Sequence, residues 1–167
     1  MGLFDKYDAD PEDLPTFEGL KEGPYEAEIS DVDTTQDVYK QFEKTGVMAE
    51  FITFSYKVEG ANYAIKQNFA LPTHPQPWSK EEKAYGDVSV FDAERRNLGA
   101  IARHLENCGV PRASQKDLDI DDLKNLIGVK GTLTMTKKGN YVNPTKFVVK
   151  QESGATLPDM PATTAGW

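Results

Sequence analysis

Two runs, "VMAEFITFSYKV" over residues 47–58 and "NYAIKQNFAL" over residues 62–71, constrain the fold of this chain most tightly. Both are rich in aromatic and β-branched residues, which fit a pleated, half-buried surface. Only Glu59, Gly60 and Ala61 separate them, and so short a break joins antiparallel neighbours rather than parallel ones. The pattern predicts two long strands in a tight hairpin. A period of two then assigns faces: Phe51, Thr53, Ser55 and Lys57 point outward on the first strand, and Asn62, Lys66 and Asn68 on the second.

The same signals predict three further strands. Gly23-Pro24 introduces "YEAEISDV", where Tyr25, Ala27, Ile29 and, next in phase, Asp31 alternate with Glu26, Glu28 and Ser30. A polar loop, "DTTQDVYKQFEKTG", follows it. The closing strands "VKGTLTMTK" and "YVNPTKFVV" meet across Gly139-Asn140, where glycine at the first central position suits a type II′ turn. That turn predicts a register: Lys138 opposite Tyr141, Thr136 opposite Asn143, Thr134 opposite Thr145, Thr132 opposite Phe147 and Lys130 opposite Val149. One face becomes polar and basic, with two aromatic rings, while Leu133, Met135, Val142 and Val148 face the core. Pro144 falls opposite Met135 at a non-hydrogen-bonded position, where its missing N–H costs no ladder bond.

Helices are expected between the two groups of strands. The prolines of "PTHPQPW" exclude regular pairing and mark a loop. From Asp92, a candidate N-cap, a helix over 92–108 aligns Leu98, Ile101, Ala102 and Leu105 and stops at Gly109. A shorter helix in "DIDDLKNLIG" is closed by Gly128. The 167 residues then divide into an acidic lead (1–22) expected to be flexible, one domain (23–150) and a Ser, Gly, Thr and Pro-containing tail (151–167) expected to be disordered.

The order of three strands, a helical excursion and two strands resembles the OB-fold, a five-stranded, partly open barrel with a helix between its third and fourth strands. More narrowly, "GPYEAEISDV", the aromatic second strand, "FDAERRNLGAIARHLENCGV" and "KGTLTMTKKGNYVNPTKFVV" resemble the phage-encoded single-stranded-DNA-binding proteins of the OB type, over roughly residues 23–150. The resemblance implies sequence-tolerant binding that protects single strands in phage DNA replication or recombination, in the host cytoplasm. It also implies two binding loops, one holding Tyr39, Lys40, Phe42 and Lys44 and the other "TKKGNY". An acidic C-terminal peptide with an aromatic tip would recruit replication or recombination proteins. Here "LPDMPATTAGW" ends in Trp167, which matches that tip, but Asp159 is the only acid in those last eleven residues.

Charge distribution bears on this reading. The net charge is -8, which argues against broad attraction to DNA. Yet residues 128–151 carry Lys130, Lys137, Lys138, Lys146 and Lys150 against no acid, whereas 1–37 carry twelve acids against Lys6 and Lys21. The candidate interface combines Phe51, Tyr141 and Phe147 with Lys57, Lys66, Lys130, Lys137, Lys138 and Lys146. Lysines neutralise phosphates and flat rings stack bases, each stacked base being worth about 1–3 kcal/mol. The alternative places the rings in a second small core beneath the helix and uses the lysines for solubility and edge protection. Arg95, Arg96 and Arg103 read as a solvated helix face compensated by Glu94 and Glu106. The acidic lead either shields the groove or solubilises the chain.

Other chemistries find little support. Cys108 permits no intrachain disulfide and reads as a small buried filler without a paired histidine. "DLDIDD" places Asp117, Asp119 and Asp121 like the first ligands of an EF-hand, but Asp122 and Gly128 stand where Gly and Glu belong. His74 and His104 lack zinc-ligand spacing, and no phosphate loop or catalytic triad stands out. We expect no metal, no nucleotide cofactor and no enzymatic activity. No apolar run approaches the roughly 20 residues of a membrane span, and no secretory leader is evident, so a cytosolic location is expected. A virion structural or adaptor protein using its β-barrel for protein contacts is the second functional reading, and a nuclease accessory whose acidic lead mimics DNA is the third. The oligomeric state stays open.

Overall fold

A computed structural model of the chain describes residues 2–14, 20–33, 38–41 and 44–150, with the backbone alone for 38–41 and 49. The tail with Trp167, and Phe42 of the first predicted loop, lie outside the described residues.

The described chain is mostly antiparallel sheet with one long helix. Its strands are β1 (Gly23–Asp33), β2 (Val38–Gln41), β3 (Met48–Val58), β4 (Ile65–Leu71), β5 (Lys83–Tyr85), β6 (Val88–Ser89), β7 (Lys130–Lys138) and β8 (Tyr141–Val149). The helices are α1 (Val90–Asn107) and the short α2 (Arg112–Gln115). Five long strands run in the order β4-β3-β1-β7-β8, and β2 extends the sheet beside β3. The predicted polar loop after β1 thus contains a short strand, while β5 and β6 form a separate two-stranded ribbon inside the proline-rich insertion.

The sheet does not close into the expected barrel. No ladder joins β4 to β8, although the two strands approach each other and α1 packs across both. Pro144 removes a donor from β8, and a bulge beside it breaks the regular spacing; both are devices by which edge strands resist further pairing.

Helix α1 begins two residues before the predicted Asp92. Ser89 is its N-cap, and the Ser89 Oγ accepts from the Asp92 N–H at 3.1 Å. The end is as expected: Gly109 has φ +100°, its N–H reaches the Glu106 carbonyl at 3.0 Å, and that of Val110 reaches the Leu105 carbonyl at 2.9 Å. This is the Schellman arrangement, and Val110 is fully buried beneath it. The predicted face is buried only in part: Leu105 is buried and Ile101 packs on the core, but Leu98 is exposed, and Val90, Ala93, Glu94 and His104 also turn inward. The predicted second helix is a 3-10 helix, Ile120–Leu126, started by the Asp119 N–H donating to Asp122 Oδ2 at 3.0 Å.

The main core lies between the sheet and α1 and is built on Ile29, Phe54, Tyr56, Leu126, Leu133 and Phe147. Trp78 packs with Val88 against a smaller cluster of Ala84, Val90 and Ala93, and its Nε1–H donates to the His74 carbonyl at 3.2 Å. The insertion is clamped to α1 by Glu94. That carboxylate is fully buried, yet Oε2 accepts from the Thr73 N–H (2.8 Å), the His74 N–H (3.1 Å) and His74 Nδ1 (3.1 Å), and Oε1 accepts from Asn97 Nδ2 (2.9 Å). Buried charge is tolerated when so many donors replace water. Glu94 is therefore not available to compensate Arg95.

Candidate nucleic-acid interface

The β7–β8 hairpin turns as its sequence demands. Gly139 has φ +62° and Asn140 is not left-handed, which distinguishes a type II′ turn from a type I′ turn. From that turn Lys138 pairs with Tyr141, Thr136 with Asn143 and Met135 with Pro144. Beyond Pro144 the register changes. Thr145 is skipped, so Thr134 meets Lys146, Leu133 meets Phe147, Thr132 meets Val148 and Gly131 meets Val149. The bulged Thr145 is held by its own hydroxyl, which contacts Thr136 Oγ1 at 2.8 Å and the Thr134 carbonyl at 3.3 Å.

One extra residue reverses every side chain after it. Phe147 was expected outside and is fully buried, with its ring 5.1 Å from that of Tyr56; Val148 was expected inside and is exposed. Phe147 therefore cannot stack on a base. The signal was present in the sequence, since proline within a strand marks an edge or a bulge. A similar bulge at Ser30 in β1 sends Val32, not Asp31, into the core.

The remaining candidates fall into two groups. Phe51, Lys57, Lys130 and Lys146 lie on the outer face of the sheet, together with carboxylates from β1. Glu28 sits between Lys57 on β3 and Lys130 on β7, Asp31 lies opposite Ser55, and Glu26 pairs with Lys150 at 3.2 Å. The expected uniformly basic wall is thus a surface of mixed charge. The pattern of β1 displayed those acids, but only the pairing put them between the lysines.

The second group surrounds an open groove of about 840 Å³ between the start of β4 and the tip of the β7–β8 hairpin. Lys66, Lys137 and Tyr141 line it, and Lys138 stands across the turn from Tyr141. Tyr141 is 74% exposed. Tyr63, not among the residues expected from sequence, lines the same groove and is 49% exposed. Its nearness to Lys66 in sequence was the available clue. Met135, Val142 and Pro144 give the floor an apolar character, and Leu20, Lys21 and Glu22 close one side. Glu22 is engaged by the backbone, its Oε2 accepting from the Lys137 N–H at 2.8 Å. The result is two accessible rings with Lys21, Lys66 and Lys137 around a concavity of the size that ordinarily takes a small molecule or a piece of a larger one, and Lys138 beside it.

The structure also holds a Cys–His pair. His104 Nε2 lies 3.6 Å from Cys108 Sγ and 3.3 Å from the Tyr56 hydroxyl, so Cys108 does have a histidine neighbour. Burial lowers the His104 pKa from 6.5 to about 4 and pushes the Cys108 thiol up to about 12. Burial, and secondarily Cys108, also raises the Tyr56 phenol. All three stay neutral near pH 7, the opposite of what activates a nucleophilic thiol. Cys108 is the buried filler its sequence suggested. Among the described residues, no three His, Cys, Asp or Glu side chains gather as a metal site, and no helix is long and apolar enough to cross a membrane.

Compared with protein-family models, curated proteins and solved structures, the chain gives no match.

Proposed function

We propose that this chain is a sequence-tolerant single-stranded-DNA-binding protein built on an open variant of the OB-fold, acting in phage DNA replication or recombination. The topology supports the fold: a long, bulged β1 pairs with both β3 and β7, and the long helix falls between the third and fourth long strands. The observation that carries the function is the convergence of Tyr63 and Tyr141 with Lys66 and Lys137 on one open groove. Rings on such a surface stack bases whatever their identity, and ammonium groups neutralise the phosphates between them.

The mixed charge of the outer sheet face restricts this binding to the groove and hairpin tip. Three phosphates neutralised by Lys66, Lys137 and Lys138 give a slope of about -2 in log affinity against log salt for a single strand. Fluorescence titration with an unstructured oligonucleotide tests this. Tyr141→Ala and Tyr63→Ala are each expected to weaken binding roughly 5- to 150-fold while leaving the unfolding midpoint nearly unchanged. Absence of binding at low salt, or equal affinity for the parent and both tyrosine variants, refutes the reading.

The same mixed-charge face favours a second reading, a β-domain that makes protein contacts in a virion. Co-assembly with a virion component, without retention of single-stranded oligonucleotide, decides for it.

A further inference from the structure

The exposed face of α1 carries Arg95, Arg96 and Arg103, and the acids of the same helix, Asp92 included, form no ion pair with them within 4.0 Å among the described residues. Glu94 is turned inward to His74, and Glu106 pairs with Arg112 at 3.7 Å. Arg95, Arg96 and Arg103 are exposed, and among the described residues none has a carboxylate within 4.0 Å. Lys80 joins them: its Nζ lies 4.9 Å, and the Arg95 Cζ 5.4 Å, from the centroid of the Phe91 ring. Two cations drawn to one ring repel each other, and an anion beside them relieves that repulsion. Half-buried Phe91 and exposed Leu98 add apolar surface to the same side.

The N-terminal segment has the complementary character. Residues 2–14 carry Asp5, Asp8, Asp10, Glu12 and Asp13 against Lys6 alone. Between these acids Leu3, Phe4, Tyr7 and Leu14 are all exposed. Four large apolar side chains left exposed in so short a segment are available for burial against a partner surface. The segment is already shaped by two 3-10 turns, Asp5–Tyr7 and Pro11–Asp13; Asp5 Oδ2 accepts from the Gly2 N–H and Asp10 Oδ1 from the Glu12 N–H, each at 3.0 Å. Such turns reduce the ordering cost of docking.

We propose that the acidic segment of one copy, residues 2–14, docks on the Lys80, Arg95, Arg96 and Arg103 face of α1 in a second copy. Carboxylates meet the unpaired guanidinium groups while Phe4 and Tyr7 cover Phe91 and Leu98. The contact is heterologous, so each added copy presents a fresh segment and a fresh face, and association proceeds head to tail. Charge pairs at an exposed rim make it salt-sensitive.

Sedimentation velocity of the full chain, without nucleic acid, tests this directly. At low salt the parent is expected to shift to larger species as its concentration rises, and to lose that shift at high salt. The charge-reversed face R95E/R96E/R103E and the charge-reversed segment D5K/D8K/D10K each abolish the shift, and one chain carrying all six changes regains it. Regain shows that the variants fold and that the two surfaces meet. A parent that stays monomeric at low salt overturns the proposal, as does a combined chain that fails to regain association. Monomers whose segment resists proteolysis in a charge-dependent way also overturn it, because the segment then covers its own helix. Tyr141→Ala retains association, so failure here and failure of the groove to bind DNA are separate results.

Discussion

Acid should unfold this protein partly through one buried imidazole. His104 lies on α1 with its ring stacked on Phe69 (4.5 Å between centroids) and edge-on to Phe54 (4.3 Å). Tyr56 donates its single proton to Gln67 Oε1 at 2.7 Å, so the Nε2–H tautomer of His104 is the one that serves the Tyr56 oxygen. Among the described residues no counter-charge faces the ring, and burial lowers the pKa from 6.5 to about 4. The unfolded chain therefore takes up a proton below pH 6.5 that the native state refuses until pH 4. Stability from this group is fully present above pH 6.5, declines as pH falls through that window, and is flat below it. The loss is about 3 kcal/mol, a large part of the 5–15 kcal/mol that holds a typical domain. Urea unfolding of the parent and of His104→Phe from pH 7.5 to 3.5 isolates the effect, since every other titrating group cancels in the difference. The stability of the parent relative to the variant should fall by about 3 kcal/mol between the two ends. A difference that does not change with pH refutes the buried neutral state.

Three further outcomes follow from packing. Phe147→Ala should cost about 3–5 kcal/mol in denaturant unfolding because its ring fills the core, whereas Tyr141→Ala should stay within roughly 0.5 kcal/mol; equal losses contradict the bulge. Gly131→Ala should destabilise by about 2 kcal/mol or more, because a Cβ there would lie 2.3 Å from the Val148 carbonyl oxygen and 2.7 Å from Phe147 Cζ. An unchanged unfolding midpoint for that variant would mean that β7 and β8 are not so closely paired. Glu94→Ala should cost about 3–5 kcal/mol and expose the 72–78 loop to limited proteolysis, since it strands the Thr73 and His74 donors; a protease-resistant loop of parental stability excludes the clamp.

The groove and the outer face separate what local pattern carries from what it cannot. The alternation in 51–58 and 65–71 placed Thr53 and Lys57 outward and Phe54 and Tyr56 inward, as found, because strand period is a property of the backbone alone. The type II′ turn was equally legible in Gly139-Asn140, and the Schellman stop in Gly109. Tyr63 was not, because the hairpin between β3 and β4 is wider than its Glu59-Gly60-Ala61 break suggested, with Tyr56 and Ile65 the last pair before the loop.

Sequence by itself determined the long strands, the helix among them, the glycine-dependent turns and the uneven charge, since each rests on conformations and spacings that a residue brings wherever it stands. Pro144 hinted at a bulge, but tertiary structure decided that it turned Phe147 inward, and it alone decided the burial of Glu94, the placing of Glu28 between two lysines, and the open edge between β4 and β8. These depend on which partner a backbone group or charge meets across space. A strand's period is local, but its register, its neutralising neighbour and its water are set by chain segments far away in sequence.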